Sequence, residues 1–470
     1  MSGFSPAPTP LTGHSPARWG AELRALFMLA TPLAAANLLQ MLVYAVDVVF
    51  VARLGDAALA ASSLAVSIFG LLIWSSTGLV GAAAPLIAAE LGRRRHAVRE
   101  VRRTVRMALW LSVLVGIVAM GICMAAEPLM LATGQAPATA ARAGAFMNVL
   151  MWGMVPAIAA SVLRVFVSAL GRPALATAVT LLALIVNSLG NWALVFGHWG
   201  APALGLNGSA ISSIITSVAM LAAYVAIILM DRRFRRYRLF GRWWRTEWSR
   251  MADMLRIGMP IALTILAEAG LFSGAAFLMG RIGEAQLAGH TIALQVAALA
   301  FQVPFGIAQA ATIRVGMAYG AGDRHGIGQA GSAAFVLGIG FMVLTAGAIW
   351  LFPRALLGIY VDVDAPQNAA MVGFAMQFLV AAAAFQLFDG AQTVAAGNLR
   401  GLQDTRMPMI IAITGYWIAG YGTAIYFGFW TPLQGMGVWI GLAVGLTVVA
   451  AALGLRWRMR AKLGLESAPT

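Results

Sequence analysis

From Pro32 to Ala60 the chain is apolar almost without a break, reading PLAAANLLQMLVYAVDVVFVARLGDAALA. About 20 such residues are enough to carry a helix across the hydrocarbon core of a bilayer. One carboxylate, Asp47, interrupts the run, which closes on Arg53-Leu54-Gly55-Asp56. The same pattern returns at Pro260, where Arg281-Ile282-Gly283-Glu284 takes the place of the first closing motif and no gap is needed to align the copies. In the second copy Ala275 stands where Asp47 stood, and Glu268 stands where Gln40 stood. The chain therefore reads as a duplication in which each copy keeps one acid inside an apolar span, at a different depth. A charge at the centre of a membrane helix costs about 2.5–3.5 kcal/mol or more, so such acids are rarely idle.

Reading on by apolar runs and their Gly, Pro and charged breaks predicts twelve spanning helices, at roughly 25–52, 57–89, 107–126, 144–169, 174–197, 208–230, 256–280, 286–318, 330–352, 371–396, 408–430 and 435–456. The expected organisation is a disordered cytoplasmic tail over 1–22, a first lobe over 23–230, a basic cytoplasmic linker over 231–252, a second lobe over 253–457 and a tail over 458–470. Six spans per half is an even number, so the two lobes are parallel repeats, with ligand sites expected near mid-membrane. The fold class is an all-α polytopic membrane protein.

Charge fixes the expected orientation. Arginines crowd two stretches on the same side, one holding Arg93, Arg94, Arg95, Arg99, Arg102, Arg103 and Arg106, the other running from Arg232 to Arg250 with Trp243, Trp244 and Trp248 interleaved. Opposite loops are poor in charge or acidic, as at Asp362 and Asp364. By the positive-inside rule both termini face the cytoplasm. The net charge of +15 is thus explained by topology and argues against a nucleic-acid partner. With 61% hydrophobic and 10% charged residues, the chain fits no soluble class. A single cysteine, Cys123, and five scattered histidines exclude a disulfide framework and a catalytic metal site. No enzyme chemistry is expected, and the expected location is the plasma membrane.

Candidate chemistry then lies in the buried polar residues. Asp47 is six residues from Arg53, or about 9 Å below the outer end of its helix, and Asn187 and Asn191 share one face of helix 5. Together they make an oxygen-rich pocket for a proton or a small hard cation such as Na+, although paired asparagines also serve as glue between helices. Glu268 is about 20 Å down helix 7, close to the bilayer centre. Asp389 falls mid-way along helix 10, between Gln386 and Gln392 in a polar stripe spaced by three. Gln295, Gln302 and Gln309 form a second stripe on helix 8. These glutamines line a possible water-accessible cavity holding the two acids. Asp323 and Asp404, beside loop arginines, read as structural, as do Arg53 and Asp56. Pro32 shares a helix with Asp47 and marks a site where it can bend.

These residues carry a resemblance. Val46-Asp47 with Arg53-Leu54-Gly55, Asn187-Ser188-Leu189-Gly190-Asn191, Glu268, and Asp389 through Gly397-Asn398-Leu399-Arg400-Gly401-Leu402-Gln403-Asp404-Thr405 are similar to the multidrug and toxic-compound extrusion (MATE) family, in its NorM-like branch. The resemblance covers nearly the whole chain. It implies a secondary antiporter that exports organic cations while importing H+ or Na+, without a cofactor. Asp47, Asn187 and Asn191 would be the first cation site, Glu268 and Asp389 the second, and helix 1 would bend at Pro32. Drug and coupling ion would compete for the ionised acids. The expected partners are organic cations and the lipid bilayer, with the monomer as the working unit. The competing readings are a lipid-linked precursor flippase of the same superfamily, for which Arg164 is the one buried cation available, a narrow-substrate metabolite exporter, and a channel or scaffold.

Overall fold

The structure, a computed structural model, describes residues 16–93, 97–241 and 246–467. Among the described residues, twelve helices are long and apolar enough to span a membrane. We number them α1 (Pro16–Ala52), α2 (Asp56–Arg93), α3 (Val98–Met124), α4 (Pro137–Ala169), α5 (Ala174–Phe196), α6 (Leu206–Met230), α7 (Trp248–Ile282), α8 (Glu284–Gly320), α9 (Arg324–Leu351), α10 (Pro366–Gly401), α11 (Arg406–Phe429) and α12 (Gly435–Arg458). The count matches the sequence pattern, while several ends do not. α1 begins at Pro16, so residues 16–22, read from sequence as tail, are helical; residues 1–15 lie outside the described residues. α3 begins at Val98, which places Arg99, Arg102, Arg103 and Arg106 on its first turns instead of in a loop. Hydropathy marks where the apolar segment ends, and a polar helix can project beyond it. Arg94, Arg95, Arg242, Trp243, Trp244 and Arg245, part of the expected basic loops, lie outside the described residues.

Three helices carry internal irregularities, one of them a short 3-10 turn at Met151–Gly153 within α4. α2 is interrupted at Gly81–Ala82, between Asp56–Val80 and Ala83–Arg93. α11 contains a π-helical stretch, Gly415–Tyr421, between two α-helical parts. A π turn inserts extra backbone into a helix and re-aims its side chains, and such turns recur at functional sites.

Each half has a core of its own. One contains Val105, Met147, Ile158, Phe166 and Tyr224 and also takes in Met254 and Ile261 from the first half of α7. The other contains Leu271, Leu379, Phe385, Tyr416, Trp439 and Leu442. A third, smaller core joins the halves: Leu26, Leu29 and Leu33 of α1 meet Ile307 and Ala311 of α8, Ala334 of α9 and Val394 of α10.

This joint is confined to one end of the molecule, the end carrying the start of α1, the finish of α2, the start of α7 and the finish of α8. There the helices approach backbone to backbone. No Cβ could be added at Gly92 without striking the Met317 carbonyl, at Gly258 without striking Leu79, or at Gly320 without striking Ala89. Small residues permit such contact, which supplies packing in a lipid environment where burial of apolar area gives no drive. Ion pairs close the same end. Glu247, just before α7, pairs with Arg103 and Arg106 of α3, the latter at 2.9 Å. Arg250 of α7 reaches Glu100 at 2.7 Å and Glu90 at 3.4 Å. Arg314 of α8 holds Glu22 of α1 in a two-pronged pair. The opposite ends of the halves have no ion pair between them among the described residues.

Candidate functional site: two carboxylate centres

The first centre forms where α1, α5 and α6 meet. Asp47 Oδ1 accepts from Asn187 Nδ2 at 3.0 Å and from Asn191 Nδ2 at 2.7 Å. Ser213 Oγ of α6 donates to the other carboxylate oxygen at 3.2 Å. Both asparagines are fully buried. They are four residues apart, which stacks them on one face of α5, and Asn191 Nδ2 also contacts Asn187 O and Oδ1. Ser212 Oγ fixes the first asparagine further by donating to Asn187 O at 3.0 Å. The three residues expected from sequence are thus brought together. Ser213 was missed, because a serine in an apolar helix usually bonds to its own backbone, as Ser217 does here to Ser213 O.

Nearer the joined end, α1 is held by two further bonds. Thr177 Oγ1 donates to Pro32 O at 2.7 Å, and Arg164 Nη2 of α4 donates to Asn37 Oδ1 at 3.0 Å. α1 is one continuous helix through Pro32.

The second centre joins α7, α10 and α11. A single amide nitrogen, Gln392 Nε2, donates to Glu268 Oε1 and Asp389 Oδ1, each at 3.1 Å. Tyr416, fully buried and aimed by the π turn of α11, donates to Gln392 Oε1 and so orients the amide toward the acids. Two carboxylates sharing one donor repel when both are ionised, and a proton or cation relieves that repulsion. Tyr416 had no sequence signal, since a π turn leaves no periodicity to read.

The expected polar stripes divide. Gln392 serves the acids, but Gln386 turns to α9 and donates to Thr345 Oγ1 at 3.0 Å. Residues three apart drift by about 60° around a helix, so positions six apart no longer share a face. On α8, Gln302 bonds its own helix at Ala298 O, Gln295 is exposed, and among the described residues no hydrogen bond ties Gln295, Gln302 or Gln309 to either acid. The loop acids behave as anchors. Asp404 pairs with Arg456 at 2.6 Å, and Asp323 caps α9 by accepting from Gly326 N at 2.9 Å. No group of three or more His, Cys, Asp or Glu side chains suited to a metal ion exists among the described residues.

Comparison with known proteins returns both halves of this architecture. The MatE family model matches residues 32–193 and again 260–426, starting at Pro32 and Pro260, the two positions where the sequence pattern begins. The chain is 44% identical over 445 residues to a "Probable multidrug resistance protein NorM" of Mesorhizobium japonicum, covering 95% of each chain. Among solved structures, the eukaryotic MATE transporter AtDTX14 superposes with a TM-score of 0.85 at 20% identity, over 95% of this chain and 99% of that one. The outward-facing conformation of a multidrug resistance MATE family transporter superposes with a TM-score of 0.84 at 22% identity, over 95% of this chain and 97% of that one.

Proposed function

Since the chain belongs to the MatE family, we propose that it is a multidrug efflux antiporter that expels organic cations in exchange for protons. As a member of that family it is an integral membrane transporter and not an enzyme. The observation that carries the antiport reading is the pair of carboxylate centres, one in each half, each built from intramembrane acids held by amide donors. Ionised acids attract a cationic drug, and a proton arriving at the same acid removes that attraction. Drug and proton therefore exclude one another, which is the differential binding that antiport requires.

The arrangement around Asp47 supports the proton over Na+. A sodium ion at Asp47, Asn187 and Asn191 would need the amide oxygens turned on the ion. Here both amide nitrogens point at Asp47 Oδ1, and only Asn191 Oδ1 is left without a partner. A carboxylate met by donors offers a metal ion few oxygens, and one proton suffices to neutralise it.

The halves join at the end rich in arginine, which the positive-inside rule assigns to the cytoplasm. A joint at the cytoplasmic end leaves the state open to the outside. Both centres lie within one chain, so a monomer in the bacterial inner membrane suffices. Pro32, beneath Asp47 on α1, is the point where that helix would bend as Asp47 changes charge.

Ethidium transport in proteoliposomes, driven separately by a pH gradient and by a Na+ gradient, tests the proposal. Uptake under the pH gradient alone is expected. Uptake under Na+ alone would overturn the coupling assignment. No movement under either, from folded protein, would shift the reading to a narrow-substrate exporter or a lipid-linked precursor flippase.

A further inference from the structure

Arg164 of α4 is a charged side chain inside the first half whose charge the carboxylate centre does not explain. It is partly buried and lies five residues from the end of α4. Among the described residues its one hydrogen bond goes to a neutral acceptor, Asn37 Oδ1 at 3.0 Å. An arginine carries five N–H donors, so most of its capacity is unused. Asp47 cannot compensate the charge, because ten residues of α1 separate it from Asn37, or about 15 Å.

The neighbours of Arg164 deepen the imbalance. Asn37 is 6% exposed, and with its oxygen taken by Arg164 its Nδ2 has no partner. Tyr224 of α6 is fully buried within electrostatic reach of the guanidinium, and its hydroxyl has no partner among the described residues either. Three helices thus bring together a cation with no carboxylate partner and two buried polar groups without a hydrogen-bond partner; Asn37 Nδ2 and the guanidinium can only donate, and the Tyr224 hydroxyl can donate as well. An unpartnered buried donor costs about 1–3 kcal/mol, and a partly buried cation with no charge partner adds a desolvation cost. One ligand class repairs all three deficits: an anion, which accepts hydrogen bonds and balances the charge.

We infer that Arg164, Asn37 Nδ2 and Tyr224 Oη form a binding site for a small singly charged anion, distinct from the Asp47 centre. A halide or a carboxylate has the required chemistry, and the carboxylate can be a free solute or the anionic group of a zwitterionic substrate. Such a group would let the first half accept molecules carrying both signs of charge, the cation toward Asp47 and the anion toward Arg164. The site does not rest on the antiport reading, because it predicts binding whether or not anything is transported.

The test is a binding titration on the purified full chain in nanodiscs, with chloride and formate added against a sulfate background, whose double charge the site does not match, and thermal stability as the readout. Tyr224→Phe is the informative variant, since it removes only an oxygen with no protein partner and leaves the fold intact. Saturable stabilisation of the wild type is expected, weakened about tenfold in Tyr224→Phe, as loss of a hydrogen bond to a charged group implies, and abolished in Arg164→Gln. A zwitterionic rhodamine and its methyl ester, titrated in parallel, identify the source. Formate or chloride binding assigns a solute anion. Arg164-dependent binding of the free acid alone assigns a substrate carboxylate. Identical responses of the wild type and Tyr224→Phe to every one of these probes would overturn the site.

Discussion

Asn191 of α5 sets its amide nitrogen 2.7 Å from Asp47 Oδ1 of α1, while its own side-chain oxygen faces no donor. The bond joins two helices that are 144 residues apart in sequence. It makes the position of α1 depend on the charge of Asp47, because a neutral carboxyl accepts hydrogen bonds less strongly than a carboxylate.

Asp47→Asn is therefore expected to abolish drug efflux while leaving the fold in place. Asparagine keeps an oxygen that can accept from Asn187 and Asn191, so the change in thermal stability should stay within about 1 kcal/mol. Ethidium efflux and a melting curve on the same preparation check this. Wild-type transport by the variant would remove Asp47 from the mechanism.

Tyr416→Phe tests the second centre through the residue that aims Gln392. Without the hydroxyl, a buried Gln392 Oε1 loses its donor at a cost of about 1–3 kcal/mol, and the amide becomes free to turn from Glu268 and Asp389. Transport should fall several-fold, with its pH dependence displaced from that of the wild type. An unchanged pH profile would leave Tyr416 as a packing residue only.

The glycine crossings make a conformational prediction. Leucine at Gly320 cannot coexist with the Ala89 backbone contact, so Gly320→Leu should open the arginine-rich end and close the other. Spin labels at Asp56 and Glu284, both exposed at the far end and one in each half, read the change in a Cys123→Ser background. Their separation should shorten relative to the parent. An identical distance distribution would show that this crossing does not control the equilibrium.

The ion pairs at the same end act together. Apart from the buried Arg106 and Glu90 their partners are partly exposed, and a single exposed pair contributes only about 0–1 kcal/mol. The triple variant Glu22→Gln, Glu90→Gln, Glu247→Gln should shift the same label distances toward the closed far end, whereas each single change should move them little. Raising ionic strength on the wild type should reproduce part of the shift.

What the sequence determined by itself follows from the cost of placing polar groups in lipid. Twelve apolar runs, the duplication from Pro32 and Pro260, and the acids Asp47, Glu268 and Asp389 stand out because hydrocarbon penalises every exception. Asn187 and Asn191 were legible because a four-residue spacing is local helix geometry. The tertiary structure decided what lies between helices. Ser213, Tyr416 and Thr345 come from segments distant in sequence, and each is unremarkable within its own helix. The division of Gln386 from Gln392, the joining of the halves at one end, and the meeting of Arg164 with Asn37 and Tyr224 depend on helix rotation and packing. Hydropathy carries neither, because lipid sorts residues by polarity and is indifferent to which neighbour a buried side chain finds.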